Sequence, residues 1–224
     1  MRVSKTVARR ILRALERLHP GADTELRYAT PFELLTATIL SAQCTDARVN
    51  EVTPALFRRY PDASALARAR PETIERLIRT TGFFRSKTRA LLGMAGALVK
   101  RHGGDVPPSM DDLVGLPGVG RKTANVVLGH AFGIPGFPVD RHVLRVTRRL
   151  GLIATDDPVA AETALCRLLP RTKWTVASDS FILHGRRICR PRPLCDRCGA
   201  RSDCAYAANP TMVERDGRQA AGHR

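Results

Sequence analysis

The sequence predicts an almost entirely α-helical protein. Apolar residues recur at helical spacing along much of the chain, and residues that cap helices precede several of those runs. The two-residue alternation of a half-buried strand is nearly absent. Taken in order, Val7, Ile11, Leu12, Leu15 and Leu18 mark one face of an amphipathic helix. That stretch is Arg-rich and acid-poor up to Glu16, as transit peptides are, but its helical period favours an ordinary helix. Thr30-Pro31-Phe32-Glu33 is a capping box with Pro at the first helical position, opening a helix through Leu40. Pro71 and Glu72 begin a short helix that ends near Gly82. Ser86 is placed to cap a helix carrying Ala90, Leu91, Met94, Ala97 and Leu98 inward, stopped by Gly103-Gly104. Ser109 and Asp112 form the next capping box, and a helix from about Arg121 to Phe132 follows. Gly133 to Pro138 is a loop of breakers. Asp140 caps the helix after it, and Asp157-Pro158 opens one more. After Tyr206 the sequence turns small and polar, the composition of a flexible tail over 207–224.

Thirty-seven Lys and Arg face 21 Asp and Glu, a net charge of +16, and such an excess favours a polyanionic partner such as nucleic acid. A basic, Arg-rich host proteome would produce the same balance. No run approaches the ~18 apolar residues of a membrane-spanning helix, and no secretory signal precedes the first helix. The expected compartment is therefore the reducing cytoplasm, where disulfides are rare. Four of the six cysteines crowd between positions 189 and 204, which in a reduced protein points to a metal.

The segment Leu113-Val114-Gly115-Leu116-Pro117-Gly118-Val119-Gly120-Arg121-Lys122-Thr123 carries the most information. It is not a phosphate-binding P-loop, because Arg121 separates Gly120 from Lys122 and no strand precedes it. What remains is helix, tight glycine turn, helix. Gly118 and Gly120 let backbone approach a phosphate closely, and the next helix offers unpaired amides and a positive dipole end. Arg121 adds a charge. Such a turn grips a nucleic-acid backbone without reading sequence. It resembles the helix-hairpin-helix of DNA glycosylases, although a hairpin with no ligand would have the same local pattern. Lys122 falls in the first turn of the new helix, where the dipole and Arg121 both oppose a further positive charge. That setting suits an amine acting as nucleophile; a simple phosphate contact is the plainer alternative.

Val139-Asp140-Arg141-His142 begins 17 positions after Lys122, beyond the breaker loop. A helix and a reversal can return Asp140 toward the start of the Lys122 helix. A carboxylate there can stabilise positive charge on a sugar as its base leaves, or help deprotonate an attacking amine. Helix capping is the ordinary role of such an Asp, and the two roles can coexist.

Cys189, Cys195, Cys198 and Cys204 are separated by five, two and five residues. Thiolates at this density hold zinc or an iron–sulfur cluster. Cys44 and Cys166 have no nearby cysteine and read as small core residues. Arg190-Pro191-Arg192-Pro193 puts two arginines on a stiffened loop inside the cluster, suited to phosphate contact.

Ser41-Ala42-Gln43, Leu116 to Val127, Val139 to His142, Leu183-His184-Gly185-Arg186 and the cysteine group together resemble the endonuclease III family in order and spacing. The resemblance covers most of residues 25 to 206. It implies an all-α fold of two helical lobes with a DNA-binding cleft between them. Residues 25–134 would form a six-helix domain with the hairpin. The helix of 1–24 would pack with a cluster domain of 135–206, making that domain discontinuous. It also implies Lys122 as the Schiff-base nucleophile, Asp140 as its essential carboxylate, and a [4Fe–4S] cluster on the four cysteines. The first cysteine spacer is one residue shorter than the six usual in the family. Gln43 and Phe83 stand where the family fills the gap left by a flipped base, Phe83 replacing a frequent Leu; core packing is the alternative for Phe83 and Phe84. Val114 and Arg141 depart from residues some relatives carry, which bears on base preference. His142 is placed with the DNA contacts. The implied activity is removal of oxidised pyrimidines and cleavage of abasic sites in double-stranded DNA, by a monomer without membrane association. An adenine-mismatch glycosylase would lack Lys122, a non-catalytic DNA-binding protein would have lost Lys122 or Asp140, and an electron carrier would need neither the hairpin nor the basic charge.

Overall fold

The computed structural model describes residues 3–209. In chain order the helices are α1 Lys5–Leu18, α2 Pro31–Leu40, α3 Asp46–Arg59, α4 Ala63–Ala67, α5 Pro71–Ile78, α6 Phe84–His102, α7 Met110–Val114, α8 Arg121–Ala131, α9 Arg141–Arg149, α10 Pro158–Leu168, α11 Trp174–Arg187 and α12 Ala205–Ala208. No strand occurs among the described residues, so the all-α expectation holds. No described helix is long and apolar enough to cross a membrane. Beyond residue 209 the expected tail lies outside the described residues. Two compact units form: one runs from Thr24 to Gly136, the other joins the chain start, through Asp23, to the stretch that begins at Phe137.

In the Thr24–Gly136 unit, α2 is apolar nearly all round and becomes the central helix. Leu34, Leu35, Ala37 and Leu40 are fully buried, and α3, α6 and α8 pack against it. Its start is held as the capping box requires: the Thr30 hydroxyl accepts from the Glu33 amide at 3.2 Å. The Glu33 carboxylate reaches back to the Ala29 amide at 2.6 Å, one residue short of the usual partner. Along α6, Leu91, Met94, Ala97 and Leu98 are buried as the period predicts. Gly103 ends the helix at φ 63, and the Gly104 amide returns to the Leu98 carbonyl at 3.1 Å.

The start of α6 differs from the expectation. Gly82 at φ 69 and Phe83 at φ 48 turn the chain straight out of the short 3-10 turn Arg79–Thr81. The Phe83 carbonyl then accepts the Lys87 amide at 3.0 Å. The helix therefore begins at Phe84, and Ser86 sits exposed within it rather than capping it.

In the other unit, α1 buries Ala8, Ile11, Leu12, Ala14 and Leu15. Leu18, expected on the same face, is 36% exposed at the end of the helix. α11 packs between α1 and α9, and fully buried Phe137 and Phe181 lie with ring centroids 6.4 Å apart. The Ser178 hydroxyl donates to the Pro138 carbonyl at 2.5 Å, fixing the chain just before Asp140.

Candidate nucleic-acid interface and metal centre

The glycine turn is built on three apolar anchors. Leu113, Leu116 and Val119 are buried, and the Val119 amide bonds the Leu116 carbonyl at 3.1 Å. Between them Gly118 takes φ +77 and lies so close to α6 that an added Cβ would stand 2.6 Å from the Ala90 Cβ. Ala90, expected inward, is the floor on which this turn rests. The other side of the turn is open: Pro117, Gly118, Gly120, Arg121 and Lys122 are all exposed. Gly120 is the N-cap of α8 and supplies no side-chain acceptor, so the first-turn amides have none from the cap. Ala124, Val127 and Leu128 bury the opposite face of α8. Chemically this is a rigid, solvent-facing turn with backbone donors, a positive helix end and two cationic side chains, which fits a phosphate.

Two loops of the same unit share a backbone peculiarity. Among the described residues, Gln43 (φ 51) and Phe83 (φ 48) are the non-glycine positions with left-handed backbone, a conformation that costs an L-residue free energy and so signals constraint. Both side chains are exposed, Phe83 by 66%. Core packing is therefore not the role of Phe83; Phe84, partly buried against the apolar core, has that role. Lys87, which the sequence reading passed over, lies beneath this turn and is only 5% exposed. Its spacing of four before Leu91 placed it on the inward face of α6.

Asp140 is the N-cap of α9, and one oxygen does all the capping. Its Oδ1 accepts the His142 amide at 2.7 Å and the Val143 amide at 2.8 Å. Oδ2 carries no hydrogen bond among the described residues, so the half-buried carboxylate keeps one oxygen for other use. His142 faces a more crowded setting. Its Cβ packs under Gly185, its Nδ1 lies 3.1 Å from the Arg145 guanidinium, and burial lowers its affinity for a proton, against the pull of Asp140. Arg141 is exposed. Lys122 belongs to the Thr24–Gly136 unit and Asp140 to the other.

The four clustered cysteines come together. None is in a disulfide. Burial pushes the Cys198 and Cys204 thiols up, and the charges of Cys189 and Cys195 push both the same way, so the four sulfurs are near enough to act on one another. Short 3-10 turns at Cys195–Arg197 and Arg201–Asp203 reverse the chain between them. Two nitrogen groups reach the sulfurs: Arg149 Nη1 lies 3.6 Å from Cys189 Sγ and His184 Nε2 lies 3.5 Å from Cys198 Sγ. Burial, then the proximity of His19, lowers the His184 pKa to about 4, so the ring is neutral at physiological pH. Its Nδ1 is 3.2 Å from His19 Nε2. Four cysteines gathered in one unit, with the Arg149 guanidinium directed at one sulfur and a His184 ring nitrogen beside another, fit a thiolate-ligated metal group. Cys44 lies in the other unit, and Cys166 is partly buried against the apolar core.

Arg149 also organises the loop within the cluster. It donates to the Arg190 carbonyl at 2.6 Å and the Pro191 carbonyl at 3.0 Å, and stacks on Tyr206 at 4.8 Å. One turn earlier, Arg145 donates to the Cys189 carbonyl at 3.1 Å and the Gly185 carbonyl at 2.9 Å. These arginines were not singled out from the sequence; their four-residue spacing on α9 was the available signal. With its carbonyls held from behind, the loop leaves Arg190 and Arg192 exposed.

The family model of the HhH-GPD superfamily base excision DNA repair proteins matches residues 36–171. Endonuclease III of Synechocystis sp. is 51% identical over 209 residues, covering 92% of this chain and 95% of the relative. Endonuclease III of Escherichia coli is 38% identical over 197 residues, covering 88% and 93%. Among solved structures, a non-covalent endonuclease III–DNA complex superposes with a TM-score of 0.88 at 38% identity, over 94% of this chain and 99% of that one. A trapped endonuclease III–DNA covalent intermediate gives 0.89 at 38% identity, over 93% and 99%. On this likeness in sequence and fold, the chain belongs to the endonuclease III family of the HhH-GPD superfamily.

Proposed function

We infer that the protein is a base excision repair enzyme, a bifunctional DNA glycosylase and abasic-site lyase. The observation that carries the residue-level reading is Lys122, exposed in the first turn of a glycine-capped helix whose amides are open to a phosphate. Gly118, Gly120 and Arg121 hold the backbone of the damaged strand. Lys122 Nζ gives up a proton to Asp140 and attacks the sugar C1′ of the lesion nucleotide, and the bond to the damaged base breaks with its electron pair leaving on the base. The sugar ring opens to give a Schiff base with Lys122. Loss of a C2′ proton then expels the 3′ phosphate by β-elimination. Asp140 contributes its Oδ2, the oxygen not committed to the helix cap, to accept the lysine proton and to offset positive charge on the sugar.

Gln43 and Phe83 fill the space left by the flipped nucleotide, and Arg190, Arg192 and His142 add contacts to the duplex. Oxidised pyrimidines and abasic sites in double-stranded DNA are the substrates. Membership of the family implies a cluster cofactor; we assign it as [4Fe–4S] on Cys189, Cys195, Cys198 and Cys204. The cluster supplies a structural brace that fixes the Arg190–Arg192 loop for docking, and the excision chemistry runs on Lys122 and Asp140. The enzyme works as a monomer in the cytoplasm, on the nucleoid. Borohydride trapping on duplex DNA with an abasic site or an oxidised thymine tests the reading. A covalent adduct is expected from the wild type and none from Lys122→Ala; an undiminished adduct in that variant would overturn the assignment of the nucleophile.

A further inference from the structure

Lys87 holds an ammonium where an apolar side chain would pack at less cost. It occupies the inward face of α6 four residues before fully buried Leu91, and is itself 5% exposed. Among the described residues no carboxylate pairs with it. Its Nζ donates to the Thr81 carbonyl at 2.8 Å, and its amide donates to the Phe83 carbonyl at 3.0 Å. These two bonds bracket Gly82 and Phe83. Gly82, at φ 69 and ψ 159, takes a conformation open to glycine alone. Phe83, at φ 48 and ψ 28, is left-handed with its ring in solvent. Thr81 is buried and tied by its own hydroxyl to the Ile78 carbonyl at 2.8 Å, so the far end of the bracket is fixed.

A buried charge without a counter-ion costs free energy that its hydrogen bonds must offset. Here the bond goes to the carbonyl from which an unfavourable turn departs. We propose that Lys87 is a positioning residue for nucleotide extrusion: its ammonium locks the Thr81–Phe83 turn in the left-handed geometry that presents the Phe83 ring to the duplex. Without that bond the turn relaxes and the ring leaves its insertion pose. The inference rests on the reading of Phe83 as the wedge.

The test is a double-mutant cycle of Lys87→Met and Phe83→Ala, each checked for folding by circular dichroism and thermal melting. Two signals are read. One is the single-turnover rate of base release from duplex DNA with an oxidised pyrimidine. The other is the fluorescence rise of 2-aminopurine placed opposite a tetrahydrofuran abasic analogue, which reports unstacking by the wedge. Lys87→Met should slow base release about tenfold or more, the scale expected of a misplaced group, and should lose the fluorescence rise. In the Phe83→Ala background the same substitution should change neither signal by more than about twofold, because one pathway has already been removed. Lys87→Arg, keeping donor and charge, should recover most of the fluorescence rise. Full additivity, or an Arg variant as poor as the Met variant, would overturn the positioning role. A deficient Phe83→Ala beside a normal Lys87→Met would overturn it while leaving the wedge in place. A normal Phe83→Ala would sink the wedge reading itself.

Discussion

Replacing Gly118 with alanine should unlatch the DNA-gripping turn from the helix beneath it. Two penalties add. At φ +77 an alanine is left-handed, which costs an L-residue about 1–2 kcal/mol. Its Cβ would also stand 2.6 Å from the Ala90 Cβ, against the ~3.5–4.0 Å of an ordinary carbon contact. Both atoms are short and fixed to backbone, so no rotamer relieves the overlap and the turn must lift by about 1 Å; overpacking of this kind costs about 1–3 kcal/mol. The sum is about 2–5 kcal/mol, a large share of the ~5–15 kcal/mol that holds a typical protein folded. Gly120 is the control within the same motif. Its φ is −93 and a Cβ there meets nothing within 4 Å, so alanine is accommodated without strain. Urea unfolding of the two variants should separate them clearly. Ala90→Gly placed in the Gly118→Ala protein should recover the contact part, leaving the backbone part and a glycine penalty of about 1 kcal/mol in α6. Gly118→Ala should also weaken binding to duplex DNA at fixed salt, since the displaced amides no longer converge on the phosphate. A Gly118→Ala midpoint indistinguishable from wild type, or strict additivity with Ala90→Gly, would refute the reasoning.

The division of labour at Asp140 can be separated by size and charge. Asn keeps an Oδ1 acceptor for the His142 and Val143 amides, so Asp140→Asn should melt close to wild type, while Asp140→Ala should lose about 1 kcal/mol with the cap. Both should lower base release by about 10²-fold or more; a cap-preserving Asn variant with full activity would remove Asp140 from the chemistry. Arg190→Ala and Arg192→Ala should each reduce the slope of log affinity against log salt by about 0.9, the value for one phosphate contact; unchanged slopes would mean the loop does not touch DNA. The purified protein should show visible iron–sulfur absorption that Cys198→Ser removes, whereas a colourless protein containing zinc would overturn the [4Fe–4S] assignment.

The features legible in the sequence were those set by neighbouring residues. Thr30, Asp140 and Asp157 cap their helices with their own oxygens within three residues, so the cap and the pattern that reveals it are the same chemistry. Other elements depend on partners far along the chain. α3 carries Pro54 inside it, a residue that reads as a breaker. The helix persists while Asn50 is fastened from outside, its side chain accepting the Arg27 amide at 2.8 Å and donating to the Glu25 carbonyl at 2.8 Å. α11 starts with no side-chain cap, so no neighbouring residue marks its beginning, yet it carries Phe181 and His184 into the buried core of its unit.

The same distinction divides the candidate sites. The hairpin and the cysteine group are short motifs, and their local spacing is the physical requirement itself. The groups that aim them are separated from them by tens of residues or more: Arg149 behind the Arg190–Pro191 loop, and His19 against His184, 165 positions apart. A tie of that length exists only where the first helix docks on the last part of the chain. The N-terminal helix thus buttresses the candidate metal centre, because the histidine that ends it meets the ring nitrogen of His184 opposite the one that faces Cys198. A neutral imidazole carries one N–H, so whichever nitrogen His184 protonates, the His19 contact constrains the tautomer offered to the sulfur. Local pattern identifies the donor atoms, and long-range packing decides which way they point.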